Sequence, residues 1–273
     1  MNWMKKNRST IILVFIFFIG LSLLLYPTLS DYWNSFHQSK AIVNYAETVA
    51  QIDNSEYQEM WQVANEYNKN LIAKGQRFTL TEKELEEYNS ILNVGGAGII
   101  GYIEIPDINV SLPIYHGVDD VILQIAIGHL PGTSLPIGGE STHCAISGHR
   151  GLPSAKLFTN LDQLKEGDLF MMRVLDESYT YEVDQIRIVE PADLSALKIE
   201  EGKDYCTLIT CTPYVVNSHR LLVRGHRVEN VLNNSIMVVA DATQIDSVLV
   251  APMYAVPILV ILFIGVLVRY RKR

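Results

Sequence analysis

The apolar residues of this chain fall into three patterns. Two nearly continuous apolar runs, Ile11 to Tyr26 and Val248 to Val268, lie near the two ends. From Asp31 to about Gly75 the ground is polar, and Ile42, Tyr45, Val49, Ile52, Tyr57, Trp61, Val63, Tyr67 and Leu71 recur at helical spacing. That spacing predicts an amphipathic helical region. Thr81-Glu82-Lys83-Glu84 is an N-cap pattern and predicts a short second helix reaching Leu92. Gly95, Gly96 and Gly98 then break the chain. From Ile99 to Val228 the period changes to two. Strands are predicted over Tyr102–Ile105, Val110–Tyr115, Leu169–Val174, Thr180–Val189, Cys206–Cys211 and Leu221–Val228, with another apolar run, Ala145-Ile146-Ser147, leading to His149. Pro131 to Glu140 is turn chemistry throughout. Many short strands between turns predict a mostly β domain, a sandwich or barrel, preceded by amphipathic helices.

The two apolar ends change the picture from a soluble domain to a tethered one. Val248 to Val268 carries no charge and has the length of a bilayer crossing, with Pro252 and Pro257 inside it. Ile11 to Tyr26 is slightly short, so a signal-peptide core is the alternative. Thr28-Leu29-Ser30 is a poor cleavage site, which favours an uncleaved anchor. Lys5, Lys6 and Arg8 precede the first run, and Arg269, Arg271, Lys272 and Arg273 follow the second. By the positive-inside rule both termini are expected in the cytoplasm and everything between the runs outside. The remaining 15 Lys and Arg face all 30 acidic residues in that outer part, a formal charge of −15. So acidic a domain excludes nucleic acid as the expected partner.

Candidate chemistry concentrates at three strand ends. Thr207-Leu208-Ile209-Thr210-Cys211 is a β-branched run that stops at a cysteine before Thr212-Pro213-Tyr214. It puts a thiol at a strand edge beside a loop. A thiolate attacks carbonyls well, and the resulting thioester can be resolved by an amine or by water. His149, in Ser147-Gly148-His149-Arg150-Gly151, is the candidate acid and base, because imidazole titrates where a leaving amine must be protonated. A guanidinium that stabilises an oxyanion has two candidates, Arg220 and Arg224. They stand four apart and share a strand face, so alternation alone does not choose between them. Cys144 and Cys206 precede His149 and Cys211 by five residues each. Neighbouring parallel strands would bring them level, either as two buried free thiols or as a bridged pair. His37, His116, His129, His143, His219 and His226 lack such a context. No metal-ligand spacing occurs, and neither a metal nor a cofactor is expected.

Thr207-Leu208-Ile209-Thr210-Cys211 matches the sortase signature Thr-Leu-x-Thr-Cys, and the chain resembles that family from about Gly101 to Val228. Ile103-Glu104-Ile105-Pro106, Leu112-Pro113-Ile114-Tyr115 and Gly128-His129-Leu130-Pro131-Gly132-Thr133-Ser134 add to the resemblance. The segment around His149, with Lys156-Leu157-Phe158, and the C-terminal span are most similar to the pilus-assembling class C sortases of Gram-positive bacteria. The resemblance implies a sortase β-barrel and a cysteine transpeptidase with Cys211, His149 and Arg220 as catalytic residues. In the family the arginine follows Cys-Thr-Pro-Tyr-x-x-Asn-x-His, which selects Arg220 and leaves Arg224 structural. It also implies LPxTG-like sorting signals on pilin precursors as substrates and a lysine amine of the next pilin as acceptor. One departure stands out. Class C sortases often carry an Asp-Pro-aromatic lid over the site, and here Gln76-Arg77-Phe78-Thr79-Leu80 takes roughly that place.

The organisation expected is a cytoplasmic tail and anchor over 1–30, an extracellular helical region over 31–97 and the catalytic barrel over 98–230. A linker over 231–247, a second membrane span over 248–268 and a basic cytoplasmic tail over 269–273 complete it. Two other functions compete: a housekeeping sortase that anchors proteins to cell-wall peptide, and a non-enzymatic membrane-tethered adaptor with a vestigial site.

Overall fold

The computed structural model describes residues 8–230, 257–259 and 263–264. The expected linker, most of the second span and the basic tail lie outside these residues; 257–259 and 263–264 are helical. The chain divides into two compact units. One holds the N-terminal stretch to Trp33 with the C-terminal stretch, and the other runs from Asn34 to Asn233. In the first unit the Phe17 ring stacks on that of Phe263, centroids 4.3 Å apart.

Helix α1 covers Arg8–Val49 and carries Pro27 inside it. Its N-terminal part is long and apolar enough to cross a bilayer, and none of that window is buried. The helical region expected as one stretch to Gly75 is broken after Val49. Asp53 accepts hydrogen bonds from the backbone N–H groups of Ser55 and Glu56, at 2.8 and 2.9 Å, and so starts a new helix, α2 (Asn54–Ala73). Helix α3 (Glu82–Ser90) opens with the predicted box: the Thr81 and Glu84 side chains each take the other's backbone N–H. Tyr45 and Tyr88 from these helices are buried with Ile99, Ile100, Leu135 and Val174, which seats the helical layer on the barrel. The Tyr45 hydroxyl donates to the Ile100 carbonyl at 2.7 Å and accepts from Leu175 N–H at 2.8 Å.

Eight strands close a barrel in the order β1-β2-β3-β4-β7-β8-β6-β5. They are β1 (Ile99–Ile105), β2 (Val110–His116), β3 (Ile127–His129), β4 (Thr142–Ser147), β5 (Leu169–Val174), β6 (Glu177–Val189), β7 (Asp204–Thr212) and β8 (His219–Val228). A four-residue helix, α4 (Asp120–Leu123), precedes β3. Every predicted strand is present. The alternation did not mark β3, whose three residues are all buried and show no polar face. The β2/β3 and β4/β7 pairs are parallel and the others antiparallel.

The barrel's interior takes the even positions of β4 and β7 and the odd positions of β8. Cys144, Ile146, Cys206, Leu208, Leu221 and Val223 all belong to the central core with Phe158 and Phe170. Cys144 and Cys206 are register partners, as expected for parallel strands, and both are buried free thiols. The opposite faces of the same strands carry a second cluster, Ala145, Ile209 and Leu222 with Leu197. The positions that follow on this outer face hold the site.

Candidate active site

Strands β4, β7 and β8 lie side by side and each delivers one candidate residue. On β7, Thr207, Ile209 and Cys211 share the outer face by alternation. Cys211 is partly exposed one residue before the strand ends. On β8, Arg220 pairs directly with Cys211 across the antiparallel ladder. Side chains so paired point to the same face with Cβ atoms about 5 Å apart. The parallel β4/β7 ladder runs to Ser147 opposite Ile209. Two residues beyond each lie His149 and Cys211, so the register brings the imidazole-bearing turn level with the thiol.

The turn after β4 is tied down at each residue. Gly148 N–H donates to the Ile209 carbonyl at 3.0 Å, and its own carbonyl accepts from Thr210 Oγ1 at 2.8 Å. A side chain at Gly148 would meet the Phe158 ring at 2.7 Å and Ile127 at 2.8 Å, which is why only glycine fits there. The His149 carbonyl accepts from Phe158 N–H at 3.1 Å. His149 itself is partly exposed, as is Arg220.

The two arginines of β8 have different surroundings. Arg224 forms a two-pronged pair with Asp184, both bonds 2.9 Å, and its guanidinium lies 4.1 Å from the centre of the Tyr205 ring. Its charge is spent on holding β8 to the β6 bulge at Asp184. Arg220 donates, among the described residues, only to the Asn217 and His219 carbonyls, at 3.3 and 3.2 Å. Among the described residues no carboxylate lies within ion-pair distance of it. A guanidinium of that kind keeps donors for an incoming oxygen.

The other histidines of the barrel have structural surroundings. His129 is fully buried between the Tyr88 hydroxyl, 2.7 Å from Nδ1, and the Ser134 carbonyl, 2.8 Å from Nε2. His143 donates from Nδ1 to the Lys198 carbonyl at 2.8 Å and accepts at Nε2 from Thr207 Oγ1 at 2.7 Å. Burial holds the first down to about 3 and the second to about 4, so both stay neutral. His116 is buried between the Gly98 and Ile91 carbonyls, and burial lowers its pKa too. His219 and His226 are partly exposed beside Glu190 and Asp184.

The segment standing where a lid would be packs onto this same face. Phe78 lies against the Ala145, Ile209, Leu222 and Leu197 cluster, and Arg77 bonds the Leu197 carbonyl while lying over the Phe78 ring. Gly132, at φ +85°, lets the Arg77 backbone approach; a Cβ there would sit 2.0 Å from the Arg77 carbonyl oxygen. Among the described residues no group of His, Cys, Asp or Glu is arranged to hold a metal. Sequence patterns had not marked the supporting carboxylates, Asp184 for Arg224 and Asp162 for Arg150. Asp184 lies forty residues before Arg224 and Asp162 twelve after Arg150, and no local spacing announces either pair.

A sortase domain model matches residues 103–228, the span that holds all three residues. The structure is similar to sortase C1 from Streptococcus agalactiae with 54% identity and a TM-score of 0.68, covering 70% of this chain and 99% of that one. The chain belongs to the sortase family. Its structural likeness lies with the class C sortases. Sortase C of Streptococcus pneumoniae matches at 47% identity and a TM-score of 0.63, over 69% of this chain and 96% of that one. Sortase C of Clostridium perfringens, solved with the C-terminal cell wall sorting motif, matches at 41% identity and a TM-score of 0.62, over 70% of this chain and 99% of that one. Among curated proteins, sortase D of Bacillus subtilis is 33% identical over 131 residues, 47% of this chain. The chain spans 63% of the length of that relative.

Proposed function

We propose that this sortase is a membrane-anchored cysteine transpeptidase whose catalytic barrel works on the outer side of the cell membrane, both termini being cytoplasmic. The observation that carries the reading is the direct pairing of Cys211 with Arg220, beside the turn that bears His149. The Cys211 thiolate attacks the threonine carbonyl of an LPxTG-like sorting signal. Negative charge develops on the carbonyl oxygen, where Arg220 donates to it. The Thr–Gly C–N bond breaks, His149 gives its proton to the leaving amine, and a thioester remains. An amine then attacks the thioester carbon and gives its proton to His149, the C–S bond breaks, and the Cys211 thiolate and the protonated imidazole are regenerated. One peptide bond is exchanged for another, with no net oxidation and no cofactor.

The acceptor sets the biological outcome. The similarity to sortase C of S. pneumoniae, described for its pilin substrate specificity, favours a lysine amine of the next pilin. Repetition of the exchange would join pilins by isopeptide bonds. The organisation expected from sequence, with the helical region over 31–97 preceding the barrel over 98–230 and a second span near the C-terminus, fits a pilin-joining enzyme held at the membrane. Wall anchoring, by transfer to a cell-wall peptide amine, is the competing reading from the sequence. The test incubates the full-length protein in detergent with a pilin precursor bearing its sorting signal. A covalent ladder that contains Lys–Thr isopeptide links supports the pilin reading. Transfer to a cell-wall peptide amine with no ladder overturns it in favour of wall anchoring. No thioester at Cys211 with either would leave the adaptor reading.

A further inference from the structure

Arg150 stands next to His149, and neither its place in the sequence nor the chemistry above gives it a task. Its side chain is only 11% exposed, unusual for an arginine in a loop. Nη2 is paired with Asp162. Nη1 reaches Thr212 Oγ1 at 3.4 Å, across the gap to the residue that follows Cys211. The guanidinium also faces the Tyr214 ring, 5.8 Å from its centre. Gly151, at φ +76°, keeps the turn close to that ring; a Cβ there would meet Tyr214 at 2.7 Å. One planar group therefore bridges the turn that carries the imidazole, the segment near Asp162 and the strand end that carries the thiol.

We propose that Arg150 is a positioning residue that locks the His149 turn onto the end of β7, and so fixes the imidazole against Cys211. Asp162 neutralises its charge and orients its fork, which leaves the oxyanion to Arg220. The backbone bonds of Gly148 anchor the turn on its near side, at Ile209 and Thr210. On its far side the reach to Thr212 is made by Arg150. A flat fork spanning two partners is geometry that a lysine cannot copy, because an ammonium is a point charge on a flexible stem. Among the described residues the buried Nε has no partner, so the side chain is held by its terminal nitrogens. Displacing a proton donor by about 1 Å costs up to about 10²-fold in rate while substrate binding is untouched.

The inference rests on the catalytic reading of Cys211 and His149, and its test separates the two. Full-length protein in detergent is compared as parent, Arg150→Ala, Arg150→Lys and Thr212→Val. One arm follows thioester formation with a peptide bearing an LPxTG-like signal. The other follows iodoacetamide alkylation of Cys211 at pH 7, which needs no substrate. Arg150→Ala should lower kcat for thioester formation about 10- to 100-fold, with KM within about threefold. Arg150→Lys should recover at most a tenth of the parent kcat although it keeps the charge. Both variants should change the alkylation rate of Cys211 at pH 7 about tenfold, because the imidazole is no longer held beside the thiol. Full rescue by lysine, a kcat of Arg150→Ala within threefold of the parent, or an unchanged alkylation rate in the lysine variant would overturn the proposal. If Arg150→Ala does not fold, Arg150→Lys and Thr212→Val carry the same readouts. A parent that forms no thioester is a failure of the sorting-signal reading, and the alkylation arm still decides the role of Arg150.

Discussion

Cys211 and Arg220 are direct partners across the β7/β8 ladder, on the outer face of the barrel. A backbone register, and not a flexible loop, therefore sets the distance between the proposed nucleophile and its guanidinium neighbour. Cys211→Ala should abolish thioester formation and transpeptidation and leave the far-ultraviolet circular dichroism unchanged. Covalent product from that variant would remove Cys211 from the mechanism.

The contrast between Arg220 and Arg224 gives a sharper prediction. Loss of an oxyanion donor costs about 10²- to 10³-fold in kcat. Arg220→Ala should lose at least that much while the protein melts near the parent temperature. Arg224→Ala leaves Asp184 without its two-pronged partner and should cost about 2 kcal/mol of stability, with kcat nearly unchanged. Kinetics and thermal melts on the pair decide it; an inactive, fully folded Arg224→Ala beside an active Arg220→Ala would exchange their roles.

Much of this site was legible in the residues, for a physical reason. Period-two alternation marks strands, and a strand that ends at a polar residue before a proline exposes that residue, as at Cys211. If the two runs are parallel neighbours with His149 beside Cys211, the equal five-residue offsets bring Cys144 level with Cys206, and the β4/β7 ladder does pair them. What was illegible came from long-range contacts. Alternation does not separate Arg220 from Arg224; the family motif does, while the β6 bulge that brings Asp184 to Arg224 lies forty residues away in the chain. Strand β3 carries no alternation because all three residues are buried. The break between α1 and α2 lay in one capping aspartate, Asp53, within a run whose apolar spacing continued through it.

The thiols should separate cleanly by reactivity. Cys144 and Cys206 are buried in the barrel core, and burial pushes the Cys144 thiol well up, so it stays protonated and inert. Iodoacetamide on the native protein should label Cys211 alone, and all three cysteines after denaturation. Phe78 packs on the Ile209 and Leu222 cluster one step along the face from Cys211, and Cys211 itself is partly exposed. Phe78→Ala should therefore raise the alkylation rate of Cys211 less than threefold. A rise of tenfold or more, by peptide mapping of timed reactions, would mean that the Gln76–Leu80 segment covers the thiol as a lid without the Asp-Pro-aromatic motif.

The buried neutral histidines predict how stability follows pH. His143 is held near 4 by burial in the folded protein, against about 6.5 when unfolded. Between those values the unfolded state binds the extra proton, so stability rises with pH there and falls as pH drops through 6.5 towards 4. For His143 the loss from pH 7 to pH 5 is about 2 kcal/mol. His129, held near 3 by full burial, adds a loss of the same sign over the same interval. His143→Asn should be less stable at pH 7, because the bonds to Lys198 and Thr207 go, yet its decline from pH 7 to pH 5 should be shallower by about 2 kcal/mol. Urea melts of parent and variant at the two pH values measure this. Equal declines in both would mean that His143 takes up its proton over the same pH range folded as unfolded, and its assignment as a buried neutral link between Lys198 and Thr207 would fall.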